Sequence, residues 1–168
     1  MAHISKNIGF RTLFWAGFWI FLLDQASKFV VVQMLGLRHV QRIEVLPPFL
    51  EFRMAWNQGV NFGLFSGMDM RWVLIAVAFA ICGFVLWWLR REGGSKIVYI
   101  SAGILIGGAL GNIVDRILYG AVADFLNMSC CGFENPYAFN VADIAIFVGA
   151  LGLVFFTEDK KKKARKNK

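Results

Sequence analysis

Four long apolar runs, at about residues 13–35, 72–89, 97–113 and 141–156, constrain this chain more than any other feature of it. The apolar residues are gathered into blocks rather than spread at amphipathic spacing. Within a bilayer no water reaches backbone N–H and C=O groups, so a spanning segment must satisfy them internally, as a helix does. The fold class expected is an all-α membrane protein of four transmembrane helices, built as a single domain over residues 1–168. Composition agrees, with 58% hydrophobic and 17% charged residues, where soluble domains carry about 25% charged. The first run follows Lys6 and Arg11 and contains Ala26-Ser27, features of a signal peptide. It has no A-x-A site and its apolar character resumes after Lys28, so a retained helix is expected.

The net charge of +7 gathers in a tail at residues 158–168, as Lys160 to Lys163, Arg165, Lys166 and Lys168. A basic run beside a membrane helix touches anionic headgroups and sets orientation; no nucleic-acid partner is expected. Lys6 and Arg11, then Arg90, Arg91 and Lys96, then the tail mark three cytoplasmic segments. The outer segments carry Arg38, Arg42, Arg53 and Arg71, and Arg116. Within the outer loop, residues 38–71, Leu50, Phe52, Met54 and Trp56 alternate with Glu51, Arg53 and Ala55, which predicts a strand. Ile43 and Val45 predict its partner before a Pro47-Pro48 turn, and Asn57-Gln58-Gly59 marks a second turn. Together they predict a small extramembrane β-sheet on the outer, periplasmic side.

The third run holds Gly103, Gly107 and Gly111 at intervals of four, with Gly108 and Ala109 beside them. This face permits close helix approach within the bundle, with dimerisation a secondary reading and a monomer sufficient. Gly149 and Gly152 suggest the same on the fourth run. Cys82, Cys130 and Cys131 have neither metal-ligand spacing nor a disulfide framework; Cys82 is expected as a small packing residue, adjacent Cys130 and Cys131 read as packing or chance, and no metal or cofactor is expected.

Ionisable residues at membrane depth are costly, so each marks a candidate site. Asp24 lies four residues before Lys28, on one helix face, as a structural or substrate-facing ion pair. Asn112, Asp115 and Arg116 cluster at the outer end of the third run and read as scaffold. Asp124 and Asp143 have no cation at helical spacing and flank one short outer loop; Asn140, one turn before Asp143, can orient its carboxylate. Two carboxylates that meet share a proton, which suits hydrolysis: the ionised one activates water and the protonated one donates to the developing oxyanion. His3 and His39 form no HExxH, and neither the serines nor the cysteines have a base nearby, so metal, serine and thiol chemistries lack their parts. The alternative is a small proton-coupled membrane transporter using Asp24, Lys28 and Asp115 as a relay, although the aspartates gather at one depth. A non-catalytic assembly subunit, bound through the glycine face, is a third possibility.

Five motifs in order, Asp24-Gln25-Ala26-Ser27-Lys28, Asn57-Gln58-Gly59, Gly111-Asn112-Ile113-Val114-Asp115-Arg116, Val122-Ala123-Asp124-Phe125 and Phe139-Asn140-Val141-Ala142-Asp143, resemble those of lipoprotein signal peptidase, or signal peptidase II. The resemblance implies a membrane aspartic endopeptidase of the bacterial cytoplasmic (inner) membrane, multi-pass, with both termini cytoplasmic and the active site towards the periplasm. It implies that the substrate is a prolipoprotein signal peptide, cut before a cysteine carrying a diacylglyceryl group. By motif matching Asp124 and Asp143 are the catalytic dyad. Asp24, Lys28, Asn57, Gly59, Asn112, Arg116 and Asn140 fall in the pocket and its support, and Asp115 in the same motif as Arg116. Val60 and Asn61 stand where alanines are usual, Ala123 where valine is common and Ile144 where serine is frequent. Asn61 bears on the pocket rim, Ile144 removes a possible hydroxyl partner, and the dyad itself is intact.

Overall fold

A computed structural model describes residues 4–59, 70–132 and 134–166, with side chains through Thr157. The order is α1 (Lys6–Lys28), a π-helical continuation (Phe29–Met34), α2 (Leu37–Val40), β1 (Arg42–Leu46), β2 (Leu50–Asn57), α3 (Met70–Glu92), α4 (Lys96–Tyr119), β3 (Val122–Met128) and α5 (Val141–Lys166). Among the described residues three helices are long and apolar enough to cross a membrane: Lys6–Met34, Met70–Glu92 and Lys96–Tyr119. In α5 the apolar stretch, Val141–Thr157, is shorter.

The central helix is α4. Of its most apolar stretch 72% is buried, against 22% in α1 and in α3. It packs chiefly on α1 and α5, and more lightly on α3. The expected glycine face is the reason: a Cβ on Gly107 would lie 2.9 Å from the Cα of Gly17 on α1, and one on Gly108 would lie 2.6 Å from the Ala142 carbonyl oxygen on α5. Gly149 answers from α5, where a Cβ would reach Leu105 N at 2.6 Å. These glycines are occupied by contacts within the chain. Gly107→Ala is therefore expected to force α1 and α4 apart and cost about 1–3 kcal/mol, as overpacking typically does; thermal unfolding in detergent measures it.

The sheet runs β1-β2-β3, antiparallel throughout. The predicted β1–β2 hairpin forms as read, turning at Pro47-Pro48. The third strand was not predicted. It begins two residues after Gly120, which ends α4 in the left-handed region (φ +77) with its N–H on Arg116 O. Met54, Ala123 and Phe125 on the sheet pack with Val31 and Val32 of the π-helical segment and Leu37 in one buried cluster. Thus Ala123 is a core residue. Cys82 is buried and packs in the helix core. Cys130 and Cys131 are exposed free thiols, so of packing and chance, the two readings of this pair, packing is excluded.

Candidate active site

The first turn of α5 has the form Asn140-x-x-Asp143. Asn140 precedes the helix; its Oδ1 accepts from Asp143 N (2.8 Å), and Asp143 Oδ2 accepts from Asn140 N (3.1 Å). Each residue satisfies an otherwise unpaired helix-start N–H of the other, a reciprocal cap that fixes the Asp143 carboxylate. The loop entering this turn is tied to the sheet by a bridge between Phe139 and Leu126 on β3. That bridge carries Asn140 to the side chain two residues before Leu126, and Asn140 Nδ2 donates to Asp124 Oδ1 at 2.6 Å. One fully buried asparagine thereby contacts both aspartates.

The other Asp124 oxygen accepts from Asn57 Nδ2 (3.0 Å). Asn57 closes β2 opposite Val122, two register pairs from Ala55 and Asp124. Its own Oδ1 accepts from Gly59 N (2.8 Å), which fixes the amide orientation. Gly59 has φ +100, and a Cβ there would run into the Leu74 side chain of α3. The turn therefore requires glycine. Val60 and Asn61 lie outside the described residues.

Asp143 Oδ1 accepts from Asn112 Nδ2 on α4 (2.9 Å). Asn112 Oδ1 in turn accepts from Lys28 Nζ (3.3 Å) and Asn140 Nδ2 (3.2 Å). Lys28 is the hub of a buried ion cluster, 2.8 Å from both Asp24 and Asp115. The expected Asp24–Lys28 pair is present and wholly buried, and a second carboxylate shares it. Asp24 Oδ1 also accepts from Ala142 N (2.9 Å), fastening α1 beside Asp143, while Asp115 Oδ2 accepts from Ala123 N (3.1 Å), fastening β3 beside Asp124. Asp115 thus pairs with Lys28 rather than with its neighbour Arg116.

Arg116, half-buried, donates from Nη1 to Asn112 O (3.3 Å). Its guanidinium feels Asp143, Asp124 and Asp115, in that order, and its Nε is buried without a partner. Cations absent at helical spacing therefore reach the aspartates from other elements: Arg116 acts on both and Lys28 on Asp124.

Asp124 is 3% exposed. Burial, reinforced by the neighbouring Asp143 charge, pushes its carboxyl up to about 7, against the opposing hydrogen bonds of Asn57 and Asn140. The two aspartates are electrostatically coupled, and Asp143 is the more exposed. Ile144, 45% exposed, contributes nothing to this network through its side chain. Two hollows lie nearby. One of about 150 Å³ reaches Lys28, Asp115 and Ala123; the other, about 350 Å³, lies on the strands among Arg42, Glu51 and Arg53 and touches no aspartate of the network.

All ten sequence candidates join one region, and two contributors were not among them. Gln25 Nε2 bridges Asp24 Oδ2 (3.0 Å) and Asp115 Oδ1 (3.3 Å); its adjacency to Asp24 was the available signal. Asn127, buried at the end of β3, donates to Asn135 O (2.7 Å) and Tyr137 O (2.9 Å), holding the loop that delivers Asn140. Nothing in the sequence distinguishes it. Among the described residues no group of three or more His, Cys, Asp or Glu is arranged to hold a metal ion.

A family model described as signal peptidase (SPase) II matches residues 17–157. A lipoprotein signal peptidase of Methylorubrum extorquens is 43% identical over 135 residues, 79% of this chain and 77% of that protein. Its counterpart in Alteromonas mediterranea is 38% identical over 167 residues, 96% and 89% of the two chains. A solved bacterial membrane enzyme, 25% identical, superposes with a TM-score of 0.79, covering 100% of this chain and 98% of that one.

Proposed function

The chain belongs to the signal peptidase II family, a family of proteases, and from that premise we propose that Asp124 and Asp143 are the dyad with which it cleaves the signal peptide from prolipoproteins. The observation that carries the reading is Asn140, hydrogen-bonded to both carboxylates at once. The remaining groups suit an acid and a base. Asp124, pushed up to about 7, holds a proton near neutrality. Asp143 accepts from Asn112 Nδ2 and Asn140 N, which fix the orientation of its carboxylate.

In this reading water attacks the scissile carbonyl carbon as Asp143 takes its proton, and Asp124 donates its proton to the carbonyl oxygen. Asp143 then protonates the leaving nitrogen. As the C–N bond breaks, the tetrahedral diol returns a proton to Asp124, restoring the starting state. Arg116 Nε, buried and unpartnered, is available to a substrate carbonyl. The α5 helix serves as the fourth span. Lys6, Arg11, Arg90, Arg91 and the tail hold the cytoplasmic end, leaving the sheet and dyad at the periplasmic face. The chain acts as a monomer on a substrate helix cut before a diacylglyceryl cysteine, with the lipid seated in the bilayer.

The test is cleavage of one prolipoprotein with and without the diacylglyceryl group, across pH. The lipidated form alone should be cut. Activity should fall as pH rises through about 7, where Asp124 loses its proton. Asn57→Ala removes a bond that favours the charged form, so its alkaline limb should move to higher pH. Equal cleavage of the unlipidated form would refute the substrate assignment. A limb that Asn57→Ala shifts downward would refute Asp124 as the acid.

A further inference from the structure

The helical glycines of the described residues have a protein neighbour that leaves no ordinary room for a side chain, with one exception: around Gly83 nothing lies within 4 Å. Glycine weakens a helix relative to alanine, so its presence without a close contact calls for another occupant. Gly83 lines a groove of about 370 Å³ between α1 and α3, with Phe10, Leu86, Trp87 and Arg90. Residues 83, 86, 87 and 90 form one face of α3. The two helices have little direct packing. They are joined at one end, where Lys6 Nζ donates to Arg90 O (2.6 Å) and the Arg90 guanidinium lies 5.9 Å from the Phe10 ring.

Arg90 apart, the groove wall is apolar. Its mouth is cationic: Lys6 meets Arg90 there and the Arg91 guanidinium lies over the Trp87 ring, all three exposed, with Glu92 the acidic side chain at the same end of α3. In a bilayer such a groove faces hydrocarbon, and an acyl chain fills it where water cannot. Basic side chains at the end of a membrane helix attract anionic headgroups. We propose that the α1–α3 groove is a binding site for one anionic phospholipid, with an acyl chain against Gly83 and the headgroup phosphate at Lys6 and Arg90. This inference does not depend on the chemistry at Asp124 and Asp143.

The test titrates the full-length protein in mild detergent with phosphatidylglycerol and, separately, phosphatidylcholine, counting bound lipid by native mass spectrometry. One retained phosphatidylglycerol is expected, not displaced by phosphatidylcholine or by inorganic phosphate. Arg90→Gln should weaken it about fivefold, the effect of one cation near an anionic surface. Gly83→Leu fills the groove from a position with open space around it and should eliminate the adduct, leaving prolipoprotein cleavage in phosphatidylcholine nanodiscs at the wild-type rate. Combined Lys160→Gln, Lys161→Gln, Lys162→Gln and Lys163→Gln should keep it, separating the groove from the tail. Undiminished phosphatidylglycerol in Gly83→Leu, equal retention of the two lipids, or a dimer mass that Gly83→Leu abolishes would each overturn the proposal.

Discussion

Asp124→Asn and Asp143→Asn are each expected to lower cleavage of a diacylglyceryl-modified prolipoprotein by roughly 100- to 10,000-fold, the range that general acid or base catalysis contributes, with the protein still folded. The structural cost of each change is small because the surrounding bonds are held by other atoms. In Asp143→Asn the helix cap from Asn140 Oδ1 to the residue 143 N–H is untouched, and one acceptor oxygen remains for Asn112 or Asn140. In Asp124→Asn one amide partner meets an NH2 instead of an oxygen, a loss on the order of 1–3 kcal/mol. An opposing gain appears with pH. The Asp124 carboxyl lies at about 7 in the folded protein against 3.8 ordinarily, so its contribution to stability is full below 3.8 and is lost as pH rises through 7. Asp124→Asn lacks that loss. Its stability relative to the wild type should therefore rise from pH 5 to pH 8, read as melting temperature beside the cleavage assay. Cleavage within tenfold of wild type by either purified variant would end the dyad assignment.

Lys28→Met should be the most destabilising single change in the network. Lys28 Nζ lies 2.8 Å from both Asp24 and Asp115, which are 0% and 2% exposed. Removing the cation leaves two carboxylates buried without it, and breaking a buried pair in this way costs about 3–5 kcal/mol. The effect extends to the dyad. Lys28 holds Asn112 Oδ1, which leaves Asn112 Nδ2 for Asp143, and Asp24 and Asp115 carry the bonds to Ala142 N and Ala123 N next to the two aspartates. Cleavage should fall with stability in Lys28→Met. The triple change Lys28→Met, Asp24→Asn, Asp115→Asn removes the stranded charges together and should regain much of the lost melting temperature, because the three groups act as one unit. A Lys28→Met protein that melts with the wild type would show that the cluster carries little of the fold's stability.

The helices were legible because hydrophobic blocks of this length dictate them locally. Residues 72–89 and 97–113 fall inside α3 and α4, and the alternation from Leu50 to Trp56 falls inside β2. The third strand was not legible: Val122–Met128 is almost wholly buried, so it lacks the polar-out alternation that betrays a half-exposed strand. Asp124 sits on that strand, which is why residue spacing suggested a shared loop with Asp143 but gave no means of bringing them together. The charges were misjudged for a related reason. Helical spacing links Asp24 to Lys28, yet it has no means of revealing that Asp115, 87 positions later, shares the same ammonium.

By itself, the sequence determined a bundle of long apolar helices, the hairpin between the first two of them, and the family whose ordered motifs the candidate aspartates belong to, since those follow from hydropathy, short-range periodicity and motif order. Tertiary structure alone decided that the aspartates act as one network. The bond from Asn140 to Asp124, the lysine shared by two helices, and the backbone ties from Asp24 to α5 and Asp115 to β3 all join residues on different elements. Their geometry arises from glycine-mediated packing of α4 against α1 and α5 and from the pairing of β3 on β2, and the raised Asp124 carboxyl follows from the burial that this packing creates.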